Sequence, residues 1–193
     1  MRAPGRGNGT NTTVNLHADI ARSTPPRLEP VRYDHPQARR LTRGLHAEQL
    51  ALYGFADDPE ATPVEDFEPP TGLFVLAYPA DSTEAAGCGG WRLLDPQTAE
   101  IKRMFVHPTA RRASLARQIL EFLEQQAAVS GATRLVLETG CLNAAALGLY
   151  QRSGYCPLPS YVSGRNPKVN RALGKPLSPP ALRQEEDPDA RHG

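Results

Sequence analysis

The sequence has few of the features that mark membrane, secreted or nucleic-acid-binding proteins. No apolar run in its 193 residues approaches the length of a transmembrane helix, and the N-terminal segment MRAPGRGNGTNTT lacks the hydrophobic core of a signal peptide. Lysine is scarce, and a net charge of +1 gives no general basis for binding nucleic acid or a membrane. With 39% hydrophobic residues, the chain is expected to form one cytoplasmic domain with a full core.

Cysteine is scarce as well. Cys88, Cys141 and Cys156 are odd in number and show no metal-site spacing, so we interpret them as reduced, partly buried thiols. The sequence also has no Ser-His-Asp order, no metal-ligand cluster and no redox motif. We therefore expect neither a metal ion nor a cysteine nucleophile in the site.

Basic residues are absent from one long stretch. Between residues 44 and 91 there are nine aspartates and glutamates but no lysine or arginine, and six of these acids lie in 57–68. Over 101–134 the balance reverses, with six basic residues against Glu121 and Glu124. One half could therefore attract a cation and the other could hold phosphates, although a solvated acidic surface is the alternative for the acids.

Periodicity and turn residues divide the chain into a domain, 25–177, and two tails expected to be disordered, 1–24 and 178–193. Alternating apolar residues predict strands, and i, i+3, i+4 spacing predicts helices. The acidic, proline-rich segment 56–71 is expected to be a loop at the edge of a substrate cleft. The predicted strands are 27–33, 72–78, 86–94, 99–106, 134–139, 155–158 and 169–175, and the predicted helices are 36–53, 114–129 and 143–152.

The segment 98–130 reads as a strand, a basic turn and an amphipathic helix. Pro108 ends the strand because proline has no N–H for a ladder, and Arg111, Arg112 and Arg117 surround the helix start. A helix N-terminus offers unpaired N–H groups and a positive dipole end. The pattern predicts an anion site, most simply for phosphate, with a solvated helix start as the alternative.

This segment resembles the cofactor loop of the GNAT superfamily of N-acyltransferases. Arg111-x-x-Ser114-x-Ala116 is similar to the family pattern Arg/Gln-x-x-Gly-x-Gly/Ala, whose amides hold the pyrophosphate of coenzyme A. Ser114 replaces the family's glycine and Arg112 stands where a second glycine is common, so the pyrophosphate-binding loop is degenerate. The resemblance implies acetyl-CoA, or another acyl-CoA, as co-substrate. The residues implied to bind it are Met104, Phe105, Val106, Arg111, Arg112, Ala113, Ser114, Leu115, Ala116, Arg117 and Asn143.

A second motif lies at 143–155, where Asn143 to Tyr150 match the family pattern Asn-x-x-Ala-x-x-Leu-Tyr and Gly154-Tyr155 follow. The element order β–α–loop–βββ–α–β–α–β(β) is also that of the family. The resemblance implies an α/β (α+β) GNAT fold over about residues 27–177. Its mixed central sheet would have about six to seven strands, splayed between the fourth and fifth and flanked by helices.

The resemblance also implies roles for several residues. Tyr150 would lie near the thioester sulfur as a general acid, and Asn143 would contact the pantetheine. The residues alone favour the alternative, in which Tyr150 is a core tyrosine and Asn143 a helix cap. A backbone N–H between Met104 and Val106 would hydrogen-bond the thioester carbonyl, with the pantetheine added like a strand. Ordinary sheet pairing is the alternative for that segment.

Glu100 is the first candidate for the base that deprotonates the acceptor, directly or through water, and His107 is the second. Strand alternation places Glu100 on the same side as Lys102 and Met104. A Glu100–Lys102 surface ion pair is therefore the alternative to a catalytic role.

The predicted function is N-acyl transfer, most simply of acetyl, from coenzyme A to a small amine by direct transfer in a ternary complex. The acidic segment favours a cationic acceptor. One alternative is transfer from the phosphopantetheine of an acyl carrier protein, which lacks the nucleotide, so that missing loop glycines would matter less. Another is a non-catalytic GNAT-fold binding or regulatory module. The sequence does not define the oligomeric state, and a homodimer is one of the alternatives.

Overall fold

The computed structural model describes residues 25–111 and 114–177, whose strands form one seven-stranded mixed sheet in the order β1-β2-β3-β4-β5-β7-β6. The predicted tails, 1–24 and 178–193, and the loop residues Arg112 and Ala113 lie outside the described residues. The strands are β1 Arg27–Val31, β2 Gly72–Tyr78, β3 Gly87–Asp95, β4 Thr98–Val106, β5 Arg134–Gly140, β6 Cys156–Leu158 and β7 Asn170–Pro176. The helices are α1 Pro36–Tyr53, α2 Leu115–Val129 and α3 Ala144–Arg152, with short 3-10 turns at Val64–Phe67 and Pro108–Ala110.

Strand β2 has a core on each of its faces. Phe74 and Leu76 pack with α1, whereas Val75 and Ala77 pack in the cluster that contains α2, and all four side chains are fully buried. Successive side chains of a strand point to opposite faces, so a strand covered on both sides is apolar throughout. The run GLFVLAY therefore reflects helices on both faces of the sheet.

Gly90 of β3 leaves room for aromatic packing on the α1 face. A Cβ atom at this position would lie 2.7 Å from the ring of Phe67 and 2.8 Å from that of Phe74. Phe67 is buried although it lies within the acidic, proline-rich segment predicted as a loop, and it stacks against Tyr33 and Phe74. One aromatic side chain thus anchors this segment to the sheet.

A β-bulge interrupts the pairing of β3 and β4. Cys88 is opposite Phe105 and Gly90 is opposite Lys102, so that Gly89 faces two residues, and one of them, Arg103, has a φ of +56°. The extra residue reverses the alternation that follows it. Met104 therefore packs in the core on the α2 face, and the predicted placement of Met104 on the same side as Glu100 and Lys102 is wrong.

Strands β4 and β5 are parallel and pair over only three positions. The last pair is Glu100 with Val136, while β4 continues to Val106 and β5 to Gly140. The two strands therefore separate beyond Glu100, and their backbones form the two sides of a wedge-shaped opening, called here the splay. The predicted mixed sheet, splayed between the fourth and fifth strands and flanked by helices, is confirmed.

Candidate active site

A small pocket lies at the splay, on the side of the sheet that carries α1. Its cavity volume is about 120 Å³, and it is lined by β4, β5, the end of α1 and the segments that follow α1 and precede β7. We call it the splay pocket. It is strongly charged in both signs. Its carboxylates are Asp57, Glu100 and Glu138, and its cations are Lys102, Arg103 and Arg165.

Glu100, the predicted base, is 2% exposed and lies at the base of the splay. Its carboxylate accepts hydrogen bonds from Arg92 Nε at 2.9 Å and from Tyr161 Oη at 3.0 Å, and Lys102 Nζ is 3.5 Å away. The ion pair with Lys102 therefore exists, but it is buried rather than on the surface. These donors stabilise the ionised carboxylate at this depth.

Lys102 is held in an unusual state for a lysine. Burial lowers the pKa of its ammonium, Glu100 opposes this shift, and the nearby Arg92 and Arg103 add to it. Burial also raises the pKa of the Tyr161 hydroxyl, and the carboxylate of Glu100 raises it further. The donors around Glu100 thus include a destabilised ammonium and a phenol that keeps its proton.

An ion-pair bridge joins two segments at the edge of the splay pocket. Arg165 donates to both carboxylate oxygens of Asp57, with Nη1 to Oδ1 at 2.8 Å, and its Nε is 3.3 Å from Glu138 Oε2. The hydrogen bond from Arg165 lowers the pKa of Asp57. The bridge fixes the loop after α1 against the segment before β7.

Tyr150, the predicted acid, lies on the opposite face of the sheet from Glu100. Its side chain is 6% exposed and its ring meets that of Tyr155 edge-on, with 5.6 Å between the centroids. Burial raises the pKa of the Tyr150 hydroxyl well above its ordinary value. The phenol is therefore neutral and able to donate throughout the physiological range.

Asn143 and Arg111 have structural partners. Asn143 caps α3, with Oδ1 accepting from the N–H of Ala146 at 3.1 Å, as the alternative interpretation of this residue expects. Arg111 turns back from the loop, donates from Nε to the carbonyl of Val106 at 2.9 Å and pairs with Glu48 of α1. The structure thus puts Arg111 at the mouth of the splay and not against the start of α2.

Ser114, at the N-cap position of α2, makes no side-chain hydrogen bond to the backbone N–H groups of the helix. Its hydroxyl instead accepts a hydrogen bond from Gln118 Nε2 at 2.9 Å. The Leu115 side chain is buried in the core, and Arg117 pairs with Glu121 on the helix surface. Among the residues of this turn that the structure describes, the backbone from Ser114 to Arg117 is therefore the part best placed to meet an anion. A groove of about 770 Å³ runs beside it, lined in part by His107, Ser114 and Gln118.

Ser114 is held in the left-handed region with a φ of +57°. A residue with a Cβ atom pays about 1–2 kcal/mol there, which glycine avoids. We expect Ser114→Gly to leave stability within about 1 kcal/mol, because glycine's greater entropy in the unfolded chain offsets the relief of strain. The variant should also tighten the binding of acetyl-CoA, the co-substrate that the resemblance implies, severalfold, because glycine lets the backbone approach a pyrophosphate more closely. Isothermal titration of the two proteins measures this change.

Ser114→Ala is the matched control, because it also removes the hydroxyl that Gln118 contacts but keeps the Cβ atom. It should bind acetyl-CoA no more tightly than the wild type. Equal tightening by glycine and alanine would mean that the hydroxyl, and not the backbone conformation, limits binding.

The acidic segment is largely neutralised within the fold. Besides the Asp57–Arg165 pair, Glu60 lies 2.8 Å from Arg43 and 3.4 Å from Arg39. Asp66 pairs with Arg92, and Glu68 with Arg32. The acids that prompted the prediction of a cationic acceptor therefore mostly hold the segment against arginines, so they support that prediction less than the sequence indicated.

Several residues that line the pocket or contact Glu100 were absent from the predicted site. Tyr161, Arg165 and Glu138 are supplied by irregular chain or by the open end of β5, and Tyr53 comes from the last turn of α1. Tyr161 is 61 residues from Glu100, and Arg165 is 108 residues from Asp57. Neither lies in a motif, so no signal in the sequence points to them.

The described residues lack two kinds of feature. None of the helices in 25–111 and 114–177 is long and apolar enough to cross a membrane. The same residues contain no group of three or more His, Cys, Asp or Glu side chains that could hold a metal ion.

Comparisons with known proteins give the family. The model of the Acetyltransferase (GNAT) family matches residues 39–155. The IAA acetyltransferase of Azospirillum brasilense is 39% identical over 75 residues, which cover 38% of this chain and 49% of that protein, so the match spans about half of the relative. The uncharacterized N-acetyltransferase YsnE of Bacillus subtilis is 32% identical over 112 residues, 57% of this chain and 73% of that protein.

A solved structure agrees with this assignment. The structure of a Klebsiella pneumoniae protein assigned to the acyl-CoA N-acyltransferases superimposes with a TM-score of 0.68 and 26% identity, and the match covers 79% of this chain and 98% of that one. The family match covers more than half of the chain and includes both the splay and the helix α2 that follows it. The chain therefore belongs to the GNAT family of acetyltransferases.

Proposed function

We propose that this enzyme moves an acyl group, most simply acetyl, from coenzyme A to a small amine by direct transfer in a ternary complex. The observation that carries the proposal is the splay, where β4 continues for six residues beyond its last pair with β5. An extended pantetheine can pair with such a free strand edge through main-chain hydrogen bonds. The thioester would then lie between the splay pocket and the face that holds Tyr150.

The free edge of β4 offers donors for the thioester carbonyl. His107 donates its N–H to the carbonyl of Ala86, on the β3 side of β4. Because alternate N–H groups of a strand point to opposite sides, those of Met104 and Val106 point into the splay. Either can hydrogen-bond the oxyanion that develops on the thioester carbonyl. Phe105 contributes its ring to the core on the α1 face instead.

The acid and the base lie on opposite faces of the sheet. Glu100, in the splay pocket, would take the proton from the attacking amine directly or through water, and Tyr150, on the other face, would donate to the departing thiolate. This separation suits a direct transfer in which amine and thioester meet in the splay, because each group serves one end of the reaction. No covalent enzyme intermediate is required.

The loop gives the least support for binding of the nucleotide half of the donor. The amides at the start of α2 and the adjacent groove could hold a pyrophosphate, but Ser114 is strained and Arg111 contacts Val106 and Glu48. This supports a carrier protein's phosphopantetheine as the second candidate donor, because that donor has no adenosine pyrophosphate to bind.

The first test measures thermal stability with acetyl-CoA, coenzyme A and pantetheine, each in large excess. A ligand at 100 times its Kd should add about 2.7 kcal/mol and raise Tm by roughly 5–10 °C. We expect this shift with acetyl-CoA and coenzyme A but not with pantetheine, and release of thiol when amines are added. Acyl transfer only from a carrier protein would favour the second donor, whereas no shift and no transfer would contradict an active enzyme and favour a binding module.

A further inference from the structure

The two cations that β4 contributes to the splay pocket are neighbours in sequence. Adjacent residues of a strand normally point to opposite faces, yet both side chains reach the pocket side of the sheet: Lys102 approaches Glu100, and Arg103 donates to Thr62 and Asp58. The bulge makes this possible, because Arg103 adopts a φ of +56° and the register shifts at that point. A non-glycine residue in this conformation destabilises the fold by on the order of 1 kcal/mol or more. Bringing both charges to one cavity is therefore accompanied by a loss of stability.

These two cations also keep hydrogen-bonding capacity that the fold does not use. Within the described residues, Arg103 donates only from Nη2, to Thr62 Oγ1 at 2.6 Å and the carbonyl of Asp58 at 3.5 Å, and its Nε is buried without a partner. Lys102 Nζ has Glu100 at 3.5 Å, which is long for a hydrogen bond. Arg165 differs in being paired with two carboxylates, although its Nε, 3.3 Å from Glu138, makes no aligned hydrogen bond within the described residues either.

We infer that the acceptor amine also carries a carboxylate, and that Lys102 and Arg103 hold this carboxylate in the splay pocket. The inference rests on the proposed function, because it names the class of acceptor for the same site. An anion between the two side chains would complete the donors of Arg103 and relieve the repulsion that, together with burial, lowers the pKa of the Lys102 ammonium.

The balance of charged side chains that line the pocket favours a zwitterionic ligand. Three carboxylates and three cations line it, so a ligand without net charge leaves the balance unchanged. A dianionic phosphate would meet the field of Asp57, Glu100 and Glu138, and a polyamine would place uncompensated positive charge beside Lys102 and Arg103. A cavity of about 120 Å³ also favours a small molecule. An amino acid, with one ammonium and one carboxylate group, satisfies both conditions.

The test uses the unmodified enzyme and compares two matched sets of acceptors. Thiol release from acetyl-CoA is measured with each of the twenty amino acids and with the corresponding amide, which keeps the amine and removes the negative charge. For the amino acids that react, kcat/KM should exceed that of the amide about tenfold or more, as expected for hydrogen bonds to a charged group. Transfer to amides as readily as to acids, or to no amino acid while coenzyme A still stabilises the protein, overturns the inference.

Two variants then test whether Lys102 and Arg103 bind the carboxylate of the acceptor or support the site as a whole. Lys102→Gln and Arg103→Gln should each raise KM for the amino acid about tenfold while changing KM for its amide much less. Lys168→Gln removes an exposed lysine of the segment before β7, outside the pocket, and should change neither. A variant that weakens acid and amide equally would mean a structural role only, and absence of any stabilisation by coenzyme A would instead point to failure of the proposed function.

Discussion

Replacing Tyr150 by phenylalanine should lower kcat for acyl transfer by about 100-fold or more, while the fold and KM for acetyl-CoA stay nearly unchanged. The ring keeps its packing against Tyr155, and only the hydroxyl that would protonate the leaving thiolate is lost. Because burial raises the pKa of the Tyr150 hydroxyl, the acid stays protonated, and kcat should not fall through loss of this proton below about pH 10. Steady-state kinetics between pH 6 and 10 measure both effects.

Tyr155→Phe is the matched control for this change. Its hydroxyl is also buried in the same cluster, beside Glu124 but without an aligned hydrogen bond. Removing it should leave kcat unchanged and keep or slightly raise stability, because a buried hydroxyl without a partner costs about 1–3 kcal/mol. If the Tyr150 variant turns over as fast as the Tyr155 variant, Tyr150 is not the acid and its role is packing.

The parts of the fold that the sequence predicts well are those governed by local patterns. Helix α1 was expected at 36–53 and is found at Pro36–Tyr53, because His35 caps its start and Gly54, with a φ of +75°, ends it. Strand β2 coincides with its prediction, and the other strands and helices differ by at most two residues at each end. Periodicity and terminal residues contain this information because both act within a few residues along the chain.

The errors and omissions have non-local causes. Met104 lies on the face opposite to its prediction because the bulge at Arg103 depends on pairing with β3 and on the space left by Gly89. Glu100 is an obvious candidate in the sequence, but its burial between Arg92 and Tyr161 depends on tertiary contacts. Motifs therefore indicated the residues of the proposed cofactor side, whereas most residues of the proposed acceptor side, which no motif describes, required the structure.

Replacing Glu100 is expected to lower both stability and activity, because this carboxylate lies at the centre of a charged network. Glu100→Gln should lower the free energy of unfolding by about 3 kcal/mol, because it leaves the partly buried guanidinium of Arg92 and ammonium of Lys102 without their shared, buried carboxylate. If Glu100 is the base, kcat at a temperature where the variant is folded should also fall by about 100-fold. Urea denaturation and steady-state kinetics on the same preparation measure the two losses.

Asp66→Asn distinguishes these two roles, because Asp66 pairs with the same Arg92 but does not line the splay pocket. Its side chain is 26% exposed, whereas that of Glu100 is 3% exposed, so the control should lose less than about 1 kcal/mol of stability and retain kcat. A Glu100 variant that loses stability but keeps full kcat would make the carboxylate a structural partner of Arg92 and Lys102. The base would then have to be another group of the pocket, and Glu138, on the facing strand of the splay, would be the next carboxylate to replace.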